Sequence, residues 1–367
     1  MFDRRLLKNF DFLLLLITLA ICCYGLIVLS SATQGLSSAD PLLHVRKQLT
    51  WIGVGLAMLL VVISVDYINF YRWSWYFYMI NLVLLGLVLY IGKDVDGTSR
   101  WIELRFFDFQ PSELAKLIVI ITLARLLVDC KERMTGLFSA WPFYLHILPP
   151  IGLIFMQPDL GTALVFIVIF FGMLYMAGVP LRNLAIYAAA GIALLPILWS
   201  RLMDYQKMRL LVFLNPEMDP LGYGYQLMQS MIAIGSGGIM GKGLYEGTQA
   251  RLQFLPEQHT DFIFSVLGEE LGFFGGAFLL ALYFLLIYRI LKIGSYSKDS
   301  FGALLCTGVA TMFSFQILVN IGMTISVMPV TGLPLPFMSY GGSSMLLNML
   351  SIGVVLNVGM RRHKIQF

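Results

Sequence analysis

The chain has 367 residues, of which 58% are hydrophobic and only 13% are charged, with a formal net charge of +4. A soluble domain averages roughly 25% charged residues, so this composition excludes a fold with a single core in water and indicates an integral membrane protein. The alternating pattern of an outer-membrane barrel is absent, which leaves an all-α bundle.

Repeated apolar runs predict about ten transmembrane helices, because crossing the bilayer core takes about 20 apolar residues. The predicted spans are Phe12–Ser31, Leu49–Val65, Trp75–Ile91, Ser112–Val128, Phe143–Met156, Leu160–Ala177, Leu184–Ser200, Phe262–Tyr288, Gly302–Val327 and Ser343–Met360. Only Gln157, Pro158 and Asp159 separate the short fifth span from the sixth, so a re-entrant element there is the alternative. We expect one membrane domain over residues 1–367, with a long extracytoplasmic loop at about 201–261 between helices 7 and 8.

Lysine and arginine in the short loops predict the orientation, because such residues are enriched on the cytoplasmic side. Both termini are therefore expected in the cytoplasm, with Lys131 and Arg362 inside and Lys242 and His259 outside. The positive charge reflects this asymmetry, so no nucleic-acid partner is expected. The four cysteines show no CxxC spacing and the four histidines form no close pair, which favours neither disulfides nor a protein-only metal site.

The long outer loop contains a glycine-rich run, Gly235–Gly243, that superficially suggests a nucleotide-binding P-loop. It does not fit, since the first glycine of that motif would fall on Ser236 and its final hydroxyl residue on Gly243. Two interpretations remain for this run, which includes Lys242. It either makes tight turns with close backbone approach, or it presents amides to phosphate oxygens.

Asp261 stands where this loop enters a long apolar helix, directly after His259 and Thr260. Thr260 or Asp261 is a suitable helix N-cap, which is the structural interpretation. The functional interpretation is a carboxylate at the membrane rim that accepts a proton from a substrate hydroxyl. About two turns deeper, Glu269 and Glu270 either form a second polar layer or pair with basic groups.

Glu113 and Lys116 are three residues apart and share one face of the fourth helix. They form a buried pair beside a cavity, or Lys116 extends to the membrane interface instead. Arg100, beside a tryptophan, fits an interfacial anchor. The last outer connection, with Ser339, Tyr340 and Ser343, is rich in proline and glycine and predicts either a rigid turn or the wall of an outward-facing cavity.

Five ordered motifs resemble the SEDS family (shape, elongation, division, sporulation), and the similarity covers nearly the whole chain. They are Gln110-Pro111-Ser112-Glu113, Gln157-Pro158-Asp159-Leu160-Gly161-Thr162, the stretch from Gln226 to Gly243, His259-Thr260-Asp261-Phe262-Ile263, and Ser339-Tyr340-Gly341-Gly342-Ser343. Gly241-Lys242-Gly243, Gly247-Thr248-Gln249 and Glu257-Gln258 resemble the rod-shape branch of the family more than its division branch.

The resemblance implies a peptidoglycan glycosyltransferase of the cytoplasmic (inner) membrane. It would polymerise lipid II into β-1,4-linked glycan at the outer face for cell elongation and shape, with inversion and with Asp261 as the catalytic base. The further substrate-binding or cavity residues would be Glu113, Lys116, Arg100, Asp159, Lys242, His259, Thr260, Ser339, Tyr340 and Ser343.

The resemblance also implies a class B penicillin-binding protein, a transpeptidase, as partner. Mg²⁺ or Mn²⁺ could bridge the pyrophosphate, although the sequence shows no dedicated ligands. The alternatives are a lipid II flippase, a non-catalytic scaffold, and the division branch with the same chemistry. Intramembrane charges and an outward-facing cavity would also suit a transporter.

Overall fold

The computed structural model describes residues 8–34, 42–95, 98–104, 107–130 and 140–362 of the chain. Before the long loop, the membrane-associated helices are α1 (Phe12–Ala32), α2 (Leu43–Ser64), α3 (Tyr67–Ile91), α4 (Pro111–Asp129), α5 (Trp141–Met156), α6 (Leu160–Met176), α7 (Leu181–Ala193) and α8 (Leu195–Arg201). After it come α12 (Ile263–Ser295), α13 (Ser300–Thr324) and α14 (Gly342–Met360), and the loop itself contains three shorter helices. The predicted cytoplasmic residue Lys131 lies outside the described residues.

The predicted all-α, polytopic membrane fold is confirmed. By length and composition, six helices in the described ranges can cross a membrane, namely α1, α2, α3, α12, α13 and α14, and a seventh span results if α7 and α8, bent by 41°, count together. The other predicted spans correspond to α4, which carries the charged pair, and to the shorter apolar helices α5 and α6. Each predicted span therefore overlaps one helix or the bent pair.

A small antiparallel sheet between α3 and α4 was not predicted. Its strands are β1 (Lys93–Val95), β2 (Thr98–Leu104) and β3 (Phe107–Phe109), and β2 is the central one. β1 and β3 have three residues each, and the seven residues of β2 do not alternate between polar and apolar, so no strand pattern stood out in the sequence. The sheet brings Arg100, on β2, to the end of the bundle where α4 begins.

The long loop after α8 is largely helical. It contains α9 (Asp204–Leu214), a 3₁₀ turn (Pro216–Met218), α10 (Tyr223–Gly237) and α11 (Thr248–Arg251). Helix α10 packs against α12 and α13, and Leu227 and Ala233 on it are buried. The segment is thus a folded layer over one end of the bundle, which we call the site end because Asp261 lies there.

Helix α12 is broken at Gly272, whose φ of 61° is outside the helical region. The break frees the carbonyl groups of Glu269 and Glu270, which accept hydrogen bonds from the amides of Lys242 and Gly243, each at 3.0 Å. Beyond the break the pairing is reciprocal, with Phe273 N donating to Gly238 O and Phe274 N to Ile239 O. Close backbone approach is therefore the correct interpretation of the glycine-rich run. The amides of Lys242 and Gly243 are occupied, so the phosphate interpretation is wrong for them.

Candidate functional site

Asp261 is half-buried and directly precedes the first turn of α12, but it does not cap that helix. The N-cap position is Phe262, and no side chain makes a cap hydrogen bond there. The Asp261 carboxylate makes no hydrogen bond or ion pair with any residue in the described ranges. The capping interpretation is therefore wrong, and the carboxylate is available for chemistry.

The main chain at Asp261 is held from two sides. Its amide donates to Glu257 O at 3.1 Å, and its carbonyl accepts from Asn320 Nδ2 at 3.0 Å. Asn320 is fully buried on α13, and the same Nδ2 donates to Leu333 O at 2.8 Å. One amide group therefore fixes the loop before α12 to the connection between α13 and α14.

The predicted outer segments around His259 and Tyr340 do come together. Ser339 Oγ donates to Thr260 O at 2.6 Å, and Tyr340 N donates to His259 O at 2.9 Å. Gln48, buried on α2, donates through Nε2 to Ser339 O at 3.0 Å. This close main-chain pairing makes the proline- and glycine-rich connection a fixed wall beside Asp261.

An aromatic cluster backs this wall. The ring centroids of His44 and His259 are 5.4 Å apart, and those of His259 and Tyr340 are 5.7 Å apart. Burial lowers the pKa of His259, and so does His44, whereas Glu257 opposes the shift. Burial raises the pKa of Tyr340. Both groups are consequently neutral at pH 7, so the wall adds no charge next to Asp261.

The pKa of the Asp261 carboxyl is raised to about 6, by burial first and then by the Glu257 carboxylate. The guanidinium groups of Arg209 and Arg100 act in the opposite direction and lower the pKa. A carboxyl with a pKa near the working pH is ionised at pH 7 and keeps useful affinity for a proton, which suits a general base.

Arg209, on α9, belongs to the site although the sequence did not single it out. Its guanidinium carbon lies 4.9 Å from the ring centroid of Tyr223 and 5.6 Å from that of Tyr205. The Asp261 carboxylate and the Arg209 guanidinium both lie next to Gly332. A Cβ atom built on this glycine would be 3.5 Å from Asp261 Oδ2 and 4.0 Å from Arg209 Nη1. The spacing of Tyr205 and Arg209, one helical turn apart, is the only sequence signal for this arrangement.

Arg100 and Asp159 form a second charged group at the site end. Arg100 Nη1 lies 3.7 Å from Asp159 Oδ1, and Arg100 Nη2 donates to Pro158 O at 2.6 Å. Asp159 also caps α6 by accepting from Thr162 N at 3.0 Å. Arg100 is therefore bound to the turn between α5 and α6 rather than serving only as an interfacial anchor.

Glu113 and Lys116 form an ion pair inside the bundle. Lys116 Nζ lies 2.6 Å from Glu113 Oε1, and Lys116 is fully buried, so its extension to the membrane interface is excluded. Glu113 Oε2 is buried without a hydrogen-bond partner in the described part of the chain.

Near the start of α4, Ser343 Oγ accepts from Gln110 N at 3.1 Å, which connects α14 to α4.

Lys242 lies in a different environment from the other predicted site residues. Its Nζ is 2.6 Å from the buried Glu269 Oε1, which also accepts hydrogen bonds from Thr248 and Gln249. Glu270 accepts a hydrogen bond from Ser31. Pairing with a basic group is thus the correct interpretation for Glu269.

Within the described ranges, no three His, Cys, Asp or Glu side chains are grouped so that they could hold a metal ion.

These features define a polytopic membrane protein with a carboxylate held at one end of its helical bundle. A family model described as "Cell cycle protein", for FtsW, RodA and SpoVE, matches residues 12–364. The chain therefore belongs to this family, and the sequence-based SEDS prediction is confirmed.

Relatives from both branches are similar over nearly their whole length. Peptidoglycan glycosyltransferase MrdB of Escherichia coli K12 is 39% identical, covering 96% of this chain and 94% of that protein. Probable peptidoglycan glycosyltransferase FtsW of Trichlorobacter lovleyi is 37% identical, covering 96% and 93%. A solved chain from a peptidoglycan synthase complex has a TM-score of 0.81 and 34% identity, covering 95% of this chain and 97% of its own. These identities do not separate the rod-shape branch from the division branch.

Proposed function

We propose that this peptidoglycan glycosyltransferase polymerises lipid II, with Asp261 as the general base. Relatives named peptidoglycan glycosyltransferases, similar along nearly the whole chain, support the activity. The observation that carries the role of Asp261 is its carboxylate, which has no hydrogen bond to a described residue and a pKa raised to about 6.

In the proposed reaction, Asp261 takes the proton from the acceptor's 4-hydroxyl group as that oxygen attacks the donor's anomeric carbon. The new glycosidic bond forms while the bond to the undecaprenyl pyrophosphate breaks, so the configuration at the anomeric carbon inverts. A hydroxyl group is too weak an acid to ionise beforehand, which is why a positioned base accelerates this step. Asn320 and the wall of Ser339 and Tyr340 hold the base in place.

The leaving pyrophosphate needs positive charge, and the site end offers two guanidinium groups. Arg209 and Arg100 both lower the pKa of the Asp261 carboxyl, so both guanidinium groups favour negative charge at this end of the bundle. Arginine is suited to this task because its planar donors match phosphate oxygens in pairs. The buried Glu113 and Lys116 pair would shape the cavity wall without contacting the reacting atoms.

We place the site on the outer face of the cytoplasmic membrane, with both termini inside. The bias of lysine and arginine supports this orientation. In a variant without native cysteines, cysteine at position 242 should react with an impermeant reagent in intact cells, whereas cysteine at 362 should react only after lysis. Labelling of 362 before 242 would reverse the orientation.

The proposed partner is a class B penicillin-binding protein. A similar solved chain comes from a peptidoglycan synthase complex that coordinates polymerization and crosslinking. Reconstituting this chain with a single-pass transpeptidase should therefore raise its polymerase rate. Equal rates with and without the partner would remove the proposed activation.

The second candidate is lipid II transport, which the buried Glu113 and Lys116 pair favours, since intramembrane charges often line transport paths. Purified protein in detergent distinguishes the two, because there is then no membrane to cross. Labelled lipid II should yield polymer on a gel if the chain is the polymerase. If no polymer forms with any partner or divalent metal ion, transport becomes the better explanation.

A further inference from the structure

A cavity of about 330 Å³ lies at the end of the bundle opposite Asp261. Asp261 precedes the first residue of α12, whereas the lining residue Lys298 follows its last residue. Each lining residue lies within a few positions of the end of a membrane-spanning helix, and the lining includes Asp66, Tyr67, Ile68, Lys298, Arg361 and Arg362. The cavity is therefore at the depth of the lipid headgroups.

The cavity is positively charged. Lys298 and Arg362 make no hydrogen bond or ion pair with any residue that the structure describes. Arg361 is fixed in the wall, since its Nη1 donates to Asn357 Oδ1 and its Nε lies 3.4 Å from Asp66 Oδ2. Three cations and one carboxylate line the cavity, and a second carboxylate, that of Asp299, accepts from the lining residue Tyr67 at 2.6 Å. The cavity therefore keeps a net positive charge, and two of its cations are available to a ligand.

A lipid headgroup fits this location better than a soluble anion. Anionic phospholipids are present in the plane of the cavity at high local concentration, and basic pockets between helix ends bind their headgroups. Ile68, at the rim, is 38% exposed and offers an apolar surface next to the acyl chains.

We propose that this cavity binds the phosphate group of an anionic phospholipid. Lys298 and Arg362 donate to the phosphate oxygens, and Arg361 supplies a fixed positive charge behind them. The site is separate from the glycosyltransferase site and would make the stability of the protein depend on lipid composition, because a ligand that binds only the folded state stabilises it.

Native mass spectrometry of the purified, delipidated full chain tests the proposal. The probes are phosphatidylglycerol and phosphatidylethanolamine with the same acyl chains. The wild type should bind one phosphatidylglycerol more tightly than phosphatidylethanolamine. The double variant Lys298→Gln with Arg362→Gln should bind phosphatidylglycerol about tenfold more weakly, since each basic residue contributes a several-fold preference.

The matched control is Arg72→Gln with Lys292→Gln, which removes the same charge from the same end without altering the cavity lining. It should bind phosphatidylglycerol like the wild type, and an equal loss in both double variants would show diffuse attraction and overturn the proposal. Lys298→Arg with Arg362→Lys keeps the charge and should retain binding even if the glutamine variant unfolds. Displacement of the lipid by millimolar inorganic phosphate would identify a soluble phosphate site instead.

Discussion

Lys116 Nζ lies 2.6 Å from Glu113 Oε1 on the same face of α4, and both side chains are buried. Removing one partner of such a pair leaves an uncompensated charge, so Glu113→Ala and Lys116→Ala should each lower stability by about 3–5 kcal/mol. The double variant should lose much less than the sum. Unfolding of the four proteins in one detergent measures the coupling.

The matched control is the pair of Arg125 and Asp129 on the same helix. Its atoms are 3.4 Å apart, but the side chains are 34% and 40% exposed. The coupling there should be only about 0–1 kcal/mol. Additive losses at Glu113 and Lys116, within about 0.5 kcal/mol, would contradict the buried pair.

The second prediction concerns pH. Asp261 can act as a base only when ionised, so kcat/KM for polymerisation should rise about tenfold per pH unit up to about pH 6 and then level off. Asp261→Glu retains a carboxylate and should retain a rising limb if it retains activity. A flat wild-type profile between pH 5 and 8 would contradict the assignment.

The same pKa predicts the effect of Asp261 on stability. Its folded-state pKa of about 6 is above the ordinary value of about 3.9, so the folded state favours the protonated form. Its ionisation therefore destabilises the fold as pH rises between these two values, and this cost persists at higher pH. Asp261→Asn should be at least as stable as the wild type at pH 7 to 8, and thermal unfolding against pH would show the difference disappearing below about pH 4.

The glycine-rich run predicts opposite effects for alanine at two of its glycines. Gly241 has a φ of 80°, and a Cβ atom there would lie 2.1 Å from Glu270 O, so Gly241→Ala should prevent the pairing across the break in α12. At Gly235, in the same run, a Cβ atom would meet no other atom within 4 Å, and Gly235→Ala should be neutral or slightly stabilising. Melting temperatures of the two variants test the contrast. Equal melting would show that the close approach is unimportant.

We expect Asn320 to act as a positioning residue for Asp261. Asn320→Ala removes the donor to Asp261 O and Leu333 O, which should cost about 1–3 kcal/mol of stability. Displacement of the base should lower kcat, by up to about 10²-fold, with a smaller change in KM. Ser314→Ala is the control, because the hydrogen bond that Ser314 donates stays within its own helix, to Ala310 O. An unchanged kcat in a folded Asn320→Ala protein would remove the positioning role.

Apolar runs were enough to predict the helices, because each span must satisfy its own backbone in lipid. Their ends were harder to predict. Helix α2 begins at Leu43 rather than Leu49, because polar residues such as Gln48 point into the site and not into lipid. Helix α12 continues past Tyr288 to Ser295, and Arg289 on this extension pairs with Asp11.

The site was predictable where its residues adjoin unusual local sequence. Asp261, Ser339 and Tyr340 stood out for this reason, and the structure pairs Ser339 and Tyr340 with Thr260 and His259, the two residues before Asp261. The contributions of Arg209 and Asn320 depend on contacts between segments far apart in the chain, which no local pattern specifies. The same limit applies to Glu269, whose partner Lys242 is 27 residues away.

A gel assay of labelled lipid II with wild type and Asp261→Asn, each alone and with the transpeptidase partner, tests the role of Asp261 as the general base most directly. Asparagine keeps the size of the side chain and loses its proton affinity. We expect polymer from the wild type, a decrease of about 10²–10⁴-fold in the variant, and melting of the variant at or above the wild-type temperature. Comparable polymer from both proteins would contradict the role of Asp261 as the catalytic base.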